Sequence, residues 1–213
     1  MSRHHLLTAA AVLLSALAWS NQSAVAAQLT LSAPATFSPG MPFDVKVHLE
    51  GASNLNAFSV EMQITAPIGA YGADYSYLLP VADPATDPAY ILGTNALGFL
   101  AIESPAGSGT LMFSDLLVDA NAGVNSSSGH DLLARITVLP TAGFQGPLTV
   151  SILPDNLNLL NANLNSIAGF GELSDTLPSI SVALVPEPAS AALLLIGGLS
   201  LLGRRSWKSA RRI

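Results

Sequence analysis

Three groups of side chains in this 213-residue chain have types and spacings that suit a chemical task. Asp119, Asn121 and Asn125 alternate around Gly123, as the oxygen ligands of a calcium loop do, since a hard cation takes carboxylate and amide oxygens. The twelfth position of that loop is His130, where such loops close on a bidentate Glu, so a polar hairpin loop is preferred over a calcium site. Tyr71, Tyr75, Tyr77 and Tyr90 are the only tyrosines and share one segment. Exposed and coplanar, they would form a stacking platform for sugar rings; folded back, they would cover a sheet edge, and the second reading is preferred because aromatic rings contribute most when buried. The third group, Pro186, Glu187 and Pro188, is a strip for recognition rather than catalysis. Both prolines fix φ and push their predecessors toward extended backbone, the form a protease cleft grips.

Catalytic signals are sparse. There is no cysteine, which removes thiolate nucleophiles, thiolate metal sites and disulfides together. The body holds only His48, on the polar side of an alternating stretch, and His130. No GxSxG, HExxH or P-loop pattern occurs. Asp115 and Asp119 could work as an acid/base pair, but surface charge is the preferred account of them. The expectation is a non-enzymatic protein without a cofactor.

Charge is distributed unevenly. Residues 28–184 contain thirteen Asp and Glu against only Lys46 and Arg135, a formal charge of −11, while Arg204, Arg205, Lys208, Arg211 and Arg212 crowd the end. Such a body repels a polyanion, and nucleic acid is excluded as its partner.

Both ends read as addresses. Arg3, His4 and His5 precede the apolar run 6–18 (LLTAAAVLLSALA), and small residues follow at 24–27, so residues 1–27 form a secretory signal peptide for signal peptidase. At the other end the order is Pro186-Glu187-Pro188, the apolar helix-forming run 189–203 (ASAALLLIGGLSLLG) and the basic end 204–213 (RRSWKSARRI). Arg204 and Arg205 would stop transfer by holding the cytoplasmic side of the membrane. On these residues the segment 185–213 resembles the PEP-CTERM sorting tails. The resemblance implies removal of the tail by an exosortase, with Pro186, Glu187 and Pro188 as recognition residues. It also implies delivery to the cell surface or an exopolysaccharide matrix.

The elements between these ends must hold the candidate residues. Phe43, Val45, Val47 and Leu49 alternate with polar residues, as do Phe58, Val60, Met62 and Ile64, the period of a half-buried strand. Further strands are expected at 28–32, 97–103, 110–118, 132–139, 147–153 and 177–184, separated by Gly, Pro and Asn turn signals. No sustained helical period occurs in the body. The expected fold is all-β: a two-sheet antiparallel sandwich over 28–184, flanked by the signal peptide and the C-terminal helix.

The body also resembles the cohesin-like and carbohydrate-binding sandwiches. The resemblance rests on the opening strand with SPG after it, on PFDVKVHLE, on LNAFSVEMQIT after a Gly-containing turn, and on the late hairpin HDLLARITVLPTAGFQGPLTVSI. It implies a jelly-roll sandwich. The expected role is structural or adhesive, in exopolysaccharide or biofilm material. Two alternatives stand beside it: a carbohydrate-binding module using 71–90, and a cohesin-type protein–protein interaction domain.

Overall fold

A computed structural model of the protein describes residues 27–163, 165–167 and 177–185. The signal segment, the Pro186-Glu187-Pro188 motif, the apolar run 189–203 and the basic end with Arg204 and Arg205 lie outside the described residues. Among those described, no helix is long and apolar enough to cross a membrane.

Among the described residues, ten strands form two facing sheets. In chain order they are β1 (Gln28–Ser32), β2 (Thr36–Phe37), β3 (Phe43–Glu50), β4 (Leu55–Thr65), β5 (Tyr75–Tyr77), β6 (Leu100–Glu103), β7 (Thr110–Leu116), β8 (Leu132–Pro140), β9 (Leu148–Asn161) and β10 (Ser179–Leu184). One sheet has the order β1-β3-β8-β5 and the other β2-β10-β9-β4-β7-β6. Two short 3-10 turns, Pro84–Thr86 and Gly93–Asn95, lie between β5 and β6.

The alternation in the sequence explains the layering. Val45, Val47 and Leu49 of β3 and Ile136 and Val138 of β8 turn inward from one sheet. Phe58, Val60, Met62 and Ile64 of β4, Leu111 and Phe113 of β7 and Val150 and Ile152 of β9 meet them from the other. Burial of such side chains contributes roughly 1.5–3 kcal/mol each, which is how a body without cysteine holds together. Phe113 sits between Phe58 and Phe99, with ring centroids 6.3 and 6.1 Å away.

Local deviations from the expected strands have local causes. β9 continues to Asn161 rather than ending at Leu153: Glu61 pairs with Leu153 but Ser59 pairs with Asn158, so residues 154–157 bulge out opposite Val60. Pro154, lacking an amide hydrogen, interrupts the ladder there and pairing resumes beyond it. Among the described strands, β10 runs parallel to β2 while the other strand pairs are antiparallel. β2 and β5, of two and three residues, were not expected, because such short strands carry no readable alternation.

Candidate functional site

The tyrosine segment lies along the free edge of the four-stranded sheet and over one end of the core. Tyr75 and Tyr77 alternate with Ser76 on β5, which pairs with β8, so both rings turn inward and are buried. Tyr71 leans on them at centroid distances of 5.8 and 5.7 Å, and Tyr75 meets Phe144 at 5.3 Å. Tyr77 donates its hydroxyl hydrogen to the Gly109 carbonyl (3.0 Å). Burial pushes the Tyr77 phenol well above its ordinary value; burial, with Glu103 beside it, pushes Tyr71 up to about 12. With three of the four rings buried, the segment presents no flat aromatic platform to a sugar, and it closes a sheet edge instead.

Tyr90 joins the two sheets. Its backbone bridges to Leu132 at the start of β8, and its hydroxyl donates to Asp115 Oδ2 on β7 (2.7 Å). Asp115 Oδ1 accepts from the amides of Leu116 (2.7 Å) and Gly98 (3.1 Å). This corrects the expectation of surface charge at Asp115: the side chain is buried on the inner face of β7, its charge offset by three donors. Asp115 and Asp119 therefore form no acid/base pair across a cleft. Burial and then the Asp115 carboxylate push the Tyr90 phenol upward.

The loop 119–125 is built by internal hydrogen bonds. Asp119 Oδ1 accepts from the Asn121 amide (2.9 Å), and Asn125 Oδ1 accepts from the Asn54 amide (2.8 Å). Asn56 Nδ2 donates to the carbonyls of Ala122 and Asp119 at 2.7 and 3.1 Å. The central Gly123 serves close packing, because a Cβ there would strike the Asn54 side chain and lie 2.8 Å from the Asn54 carbonyl oxygen. Among the described residues, no three His, Cys, Asp or Glu side chains converge.

Two features that sequence reading missed lie on the outer faces. On the six-stranded sheet, Leu100 and Ile102 of the edge strand β6 stand opposite Ser114 and Met112 of β7, with Leu116 diagonal to Leu100. Leu97, Leu100, Ile102, Leu116 and Val118 are all exposed large apolar side chains at this one corner. On the four-stranded sheet, Ser32 Oγ and His48 Nε2 are 3.2 Å apart, and His48 Nδ1 and Asp131 Oδ1 are 3.2 Å apart. Beside this line Arg135 pairs with Asp87 and, at 4.0 Å, with Asp44, whose Oδ1 accepts from Thr137 Oγ1 (2.8 Å).

The architecture has counterparts among solved structures. A type II cohesin in an X-dockerin complex from Acetivibrio cellulolyticus superposes with a TM-score of 0.50 at 12 % identity, covering 75 % of this chain and 99 % of its own. The type II cohesin dyad of the adaptor scaffoldin from the same organism gives a TM-score of 0.52 at 11 % identity, covering 78 % of this chain and 51 % of its own. The fold is cohesin-like. No sequence model of a known family matches the chain, and no curated protein matches it in sequence. At 11–12 % identity the likeness is one of backbone architecture, so individual binding residues do not carry over. Within the cohesin-like body, the segment between β4 and β6 supplies the buried tyrosines, and the apolar corner begins where that segment ends.

Proposed function

We infer that the body is a cohesin-type docking module, which receives a folded protein partner on the outer face of its six-stranded sheet at the β6–β7 corner. The observation that carries this reading is the exposed cluster of Leu97, Leu100, Ile102, Leu116 and Val118 on and beside an unpaired edge strand. Natural sheets blunt such edges with charge or proline, and contiguous exposed apolar surface marks an interaction site. The fold supports the same reading, since one structural counterpart is a cohesin held in a dockerin complex. The charge of the body suits a partner whose contact is apolar at its centre and basic at its rim.

The ends add an export route. Residues 1–27 carry the chain out, the tail 185–213 is cut by an exosortase after recognition of Pro186-Glu187-Pro188, and the docking module is left at the cell surface or in the exopolysaccharide matrix. Intact mass of the exported protein, beside a variant with Pro186, Glu187 and Pro188 all changed to Ala, tests this route. A tail retained in both forms would replace it with a permanent anchor.

Docking is tested by placing a photo-crosslinking residue at Leu100 or at Thr137, on opposite sheets, in the producing cells. A discrete protein adduct from position 100 alone is expected. Equal adducts from both positions, or none from position 100, would overturn the assignment of the face.

A further inference from the structure

The hydrogen-bonded line Ser32–His48–Asp131 has the roles of a nucleophile, a base and a positioning carboxylate, on three strands or strand ends that the sequence separates by 16 and 83 residues. A carboxylate only accepts hydrogen bonds, so Asp131 Oδ1 fixes the proton on His48 Nδ1. The lone pair of Nε2 then faces the Ser32 hydroxyl, the one orientation in which imidazole can take its proton. Such a set is recognised by geometry and roles rather than by chain order.

Two neighbours complete a site. Lys46 is the register partner of Ser32 and shares its face of the sheet, and it has no ion pair among the described residues. A shallow cleft of about 240 Å³ is lined by Ser32, Ala33, Pro34, Asp44 and Lys46. Ala33 and Pro34 give it an apolar wall of limited extent, Lys46 and Asp44 line it with one charge of each sign, and His48 reaches it through its contact with Ser32.

We propose that Ser32 and His48 hydrolyse short-chain acyl esters in this cleft, an activity separate from docking and on the opposite sheet. Ser32 Oγ attacks the ester carbonyl carbon while His48 Nε2 takes the hydroxyl proton, and the negative carbonyl oxygen of the tetrahedral intermediate faces the Lys46 ammonium. The C–O bond to the alcohol breaks, and the alcohol leaves with the proton from His48. Water, deprotonated by His48, then attacks the acyl-Ser32 carbonyl; the carboxylic acid departs and Ser32 recovers its proton. The acyl group rests on Ala33 and Pro34, which limits its length. The alcohol side is open to solvent, so esters of large, hydroxylated carriers fit as well as small ones. Ser32, His48 and Lys46 are the catalytic residues; Asp131, acting through His48, is a positioning residue.

The test uses the full chain with a fluorophosphonate probe and with p-nitrophenyl acetate. The probe is expected to modify Ser32 with loss of fluoride, located by peptide mass, and to leave Ser32→Ala unlabelled. Turnover is expected to fall by about 100-fold or more in Ser32→Ala and in His48→Ala, with the β-sheet circular dichroism of the native protein retained in both variants. Ser32→Ala keeps both body histidines, so the difference it makes measures the serine and not background imidazole hydrolysis. Asp131→Asn presents an amide donor to Nδ1 and turns a proton toward Ser32, so kcat should drop at least about tenfold with KM unchanged, which a merely structural contact would not produce. Absence of a Ser32 adduct together with equal turnover in native protein and Ser32→Ala would overturn the proposal and leave the line as a tie between β1, β3 and the start of β8. Because docking is read by crosslinking at Leu100, either assignment can fail without the other.

Discussion

The two outer faces of the sandwich are finished in opposite ways. On the four-stranded sheet most of the polar side chains, Lys46 apart, satisfy one another: Arg135 with Asp87 and Asp44, Thr137 with Asp44, His48 with Ser32 and Asp131. On the six-stranded sheet the β9–β10 half is similarly finished, with hydroxyl pairs Thr149–Ser181 (3.2 Å) and Ser151–Ser179 (2.9 Å). The β6–β7 corner of that same sheet is apolar and uncovered by the described chain. A face that satisfies itself can hold side chains in fixed geometry, which chemistry needs; a face that leaves apolar area in water gains by being covered, which docking needs. One core supports both, and substitutions can show how far the faces are independent.

The largest effect is expected where the faces share support. Phe113→Ala removes a ring lying between Phe58 and Phe99 and should cost about 3–5 kcal/mol in urea unfolding, with crosslinking at Leu100 and labelling at Ser32 weakening together as the fold melts. A loss confined to one face would show that the sheets are less coupled than the common core implies.

Tyr90→Phe comes next. It keeps the ring but removes one of the three donors to the buried Asp115 carboxylate, and about 1–3 kcal/mol should be lost. Because Tyr90 reaches from β8 to β7, this loss measures the tie between the sheets.

Alkali should act on the same closed end. Tyr71 is held up to about 12 in the fold against 10.0 ordinarily, and Tyr77 and Tyr90 are raised as well. Over that window the unfolded chain has released phenolic protons that the folded chain retains. Stability is therefore complete below pH 10 and declines as pH rises toward and through 12. Melting temperature measured from pH 9 upward should fall, while ultraviolet titration shows phenolate absorbance appearing with unfolding. Phenolates formed near pH 10 in a folded chain would mean that the tyrosine segment opens readily.

The smallest effects on stability belong to the outer faces themselves. With the crosslinker kept at position 100, Ile102→Glu and Leu116→Glu should each change stability by less than about 0.5 kcal/mol while abolishing the adduct at the β6–β7 corner. Arg135→Ala should cost about 0–1 kcal/mol, as exposed ion pairs generally do, and leave that adduct intact.

Much of the sandwich was legible because its signal is local. Alternation in 43–49 and 58–64 dictates strands wherever one side is buried, and β3 and β4 formed there. The hydrogen bonds that shape the loop 119–125 were readable in kind, since Asp and Asn side chains bond to nearby backbone. The burial of Asp115 was not. It sits on the inward side of β7, where alternation alone predicts an apolar residue, and only the arrival of Tyr90 from a distant segment makes a carboxylate tolerable there. The strand β5 was hidden among Gly, Ala, Asp and Pro because its partner β8 lies more than fifty residues further along.

By itself, the sequence determined that this body alternates in and out of a core, that it carries strong negative charge without cysteine, and that an apolar run beside basic residues lies on each side of it. Only the tertiary structure decided which residues meet on a face. Ser32, His48 and Asp131 align through the register of β1 on β3 and of β3 on β8, and Leu100 joins Leu116 through that of β6 on β7. Side chains along a strand have a period of two, so a slip of one residue would send either set to the opposite face. The period is written in the chain; the register is set by long-range pairing and by packing against the other sheet.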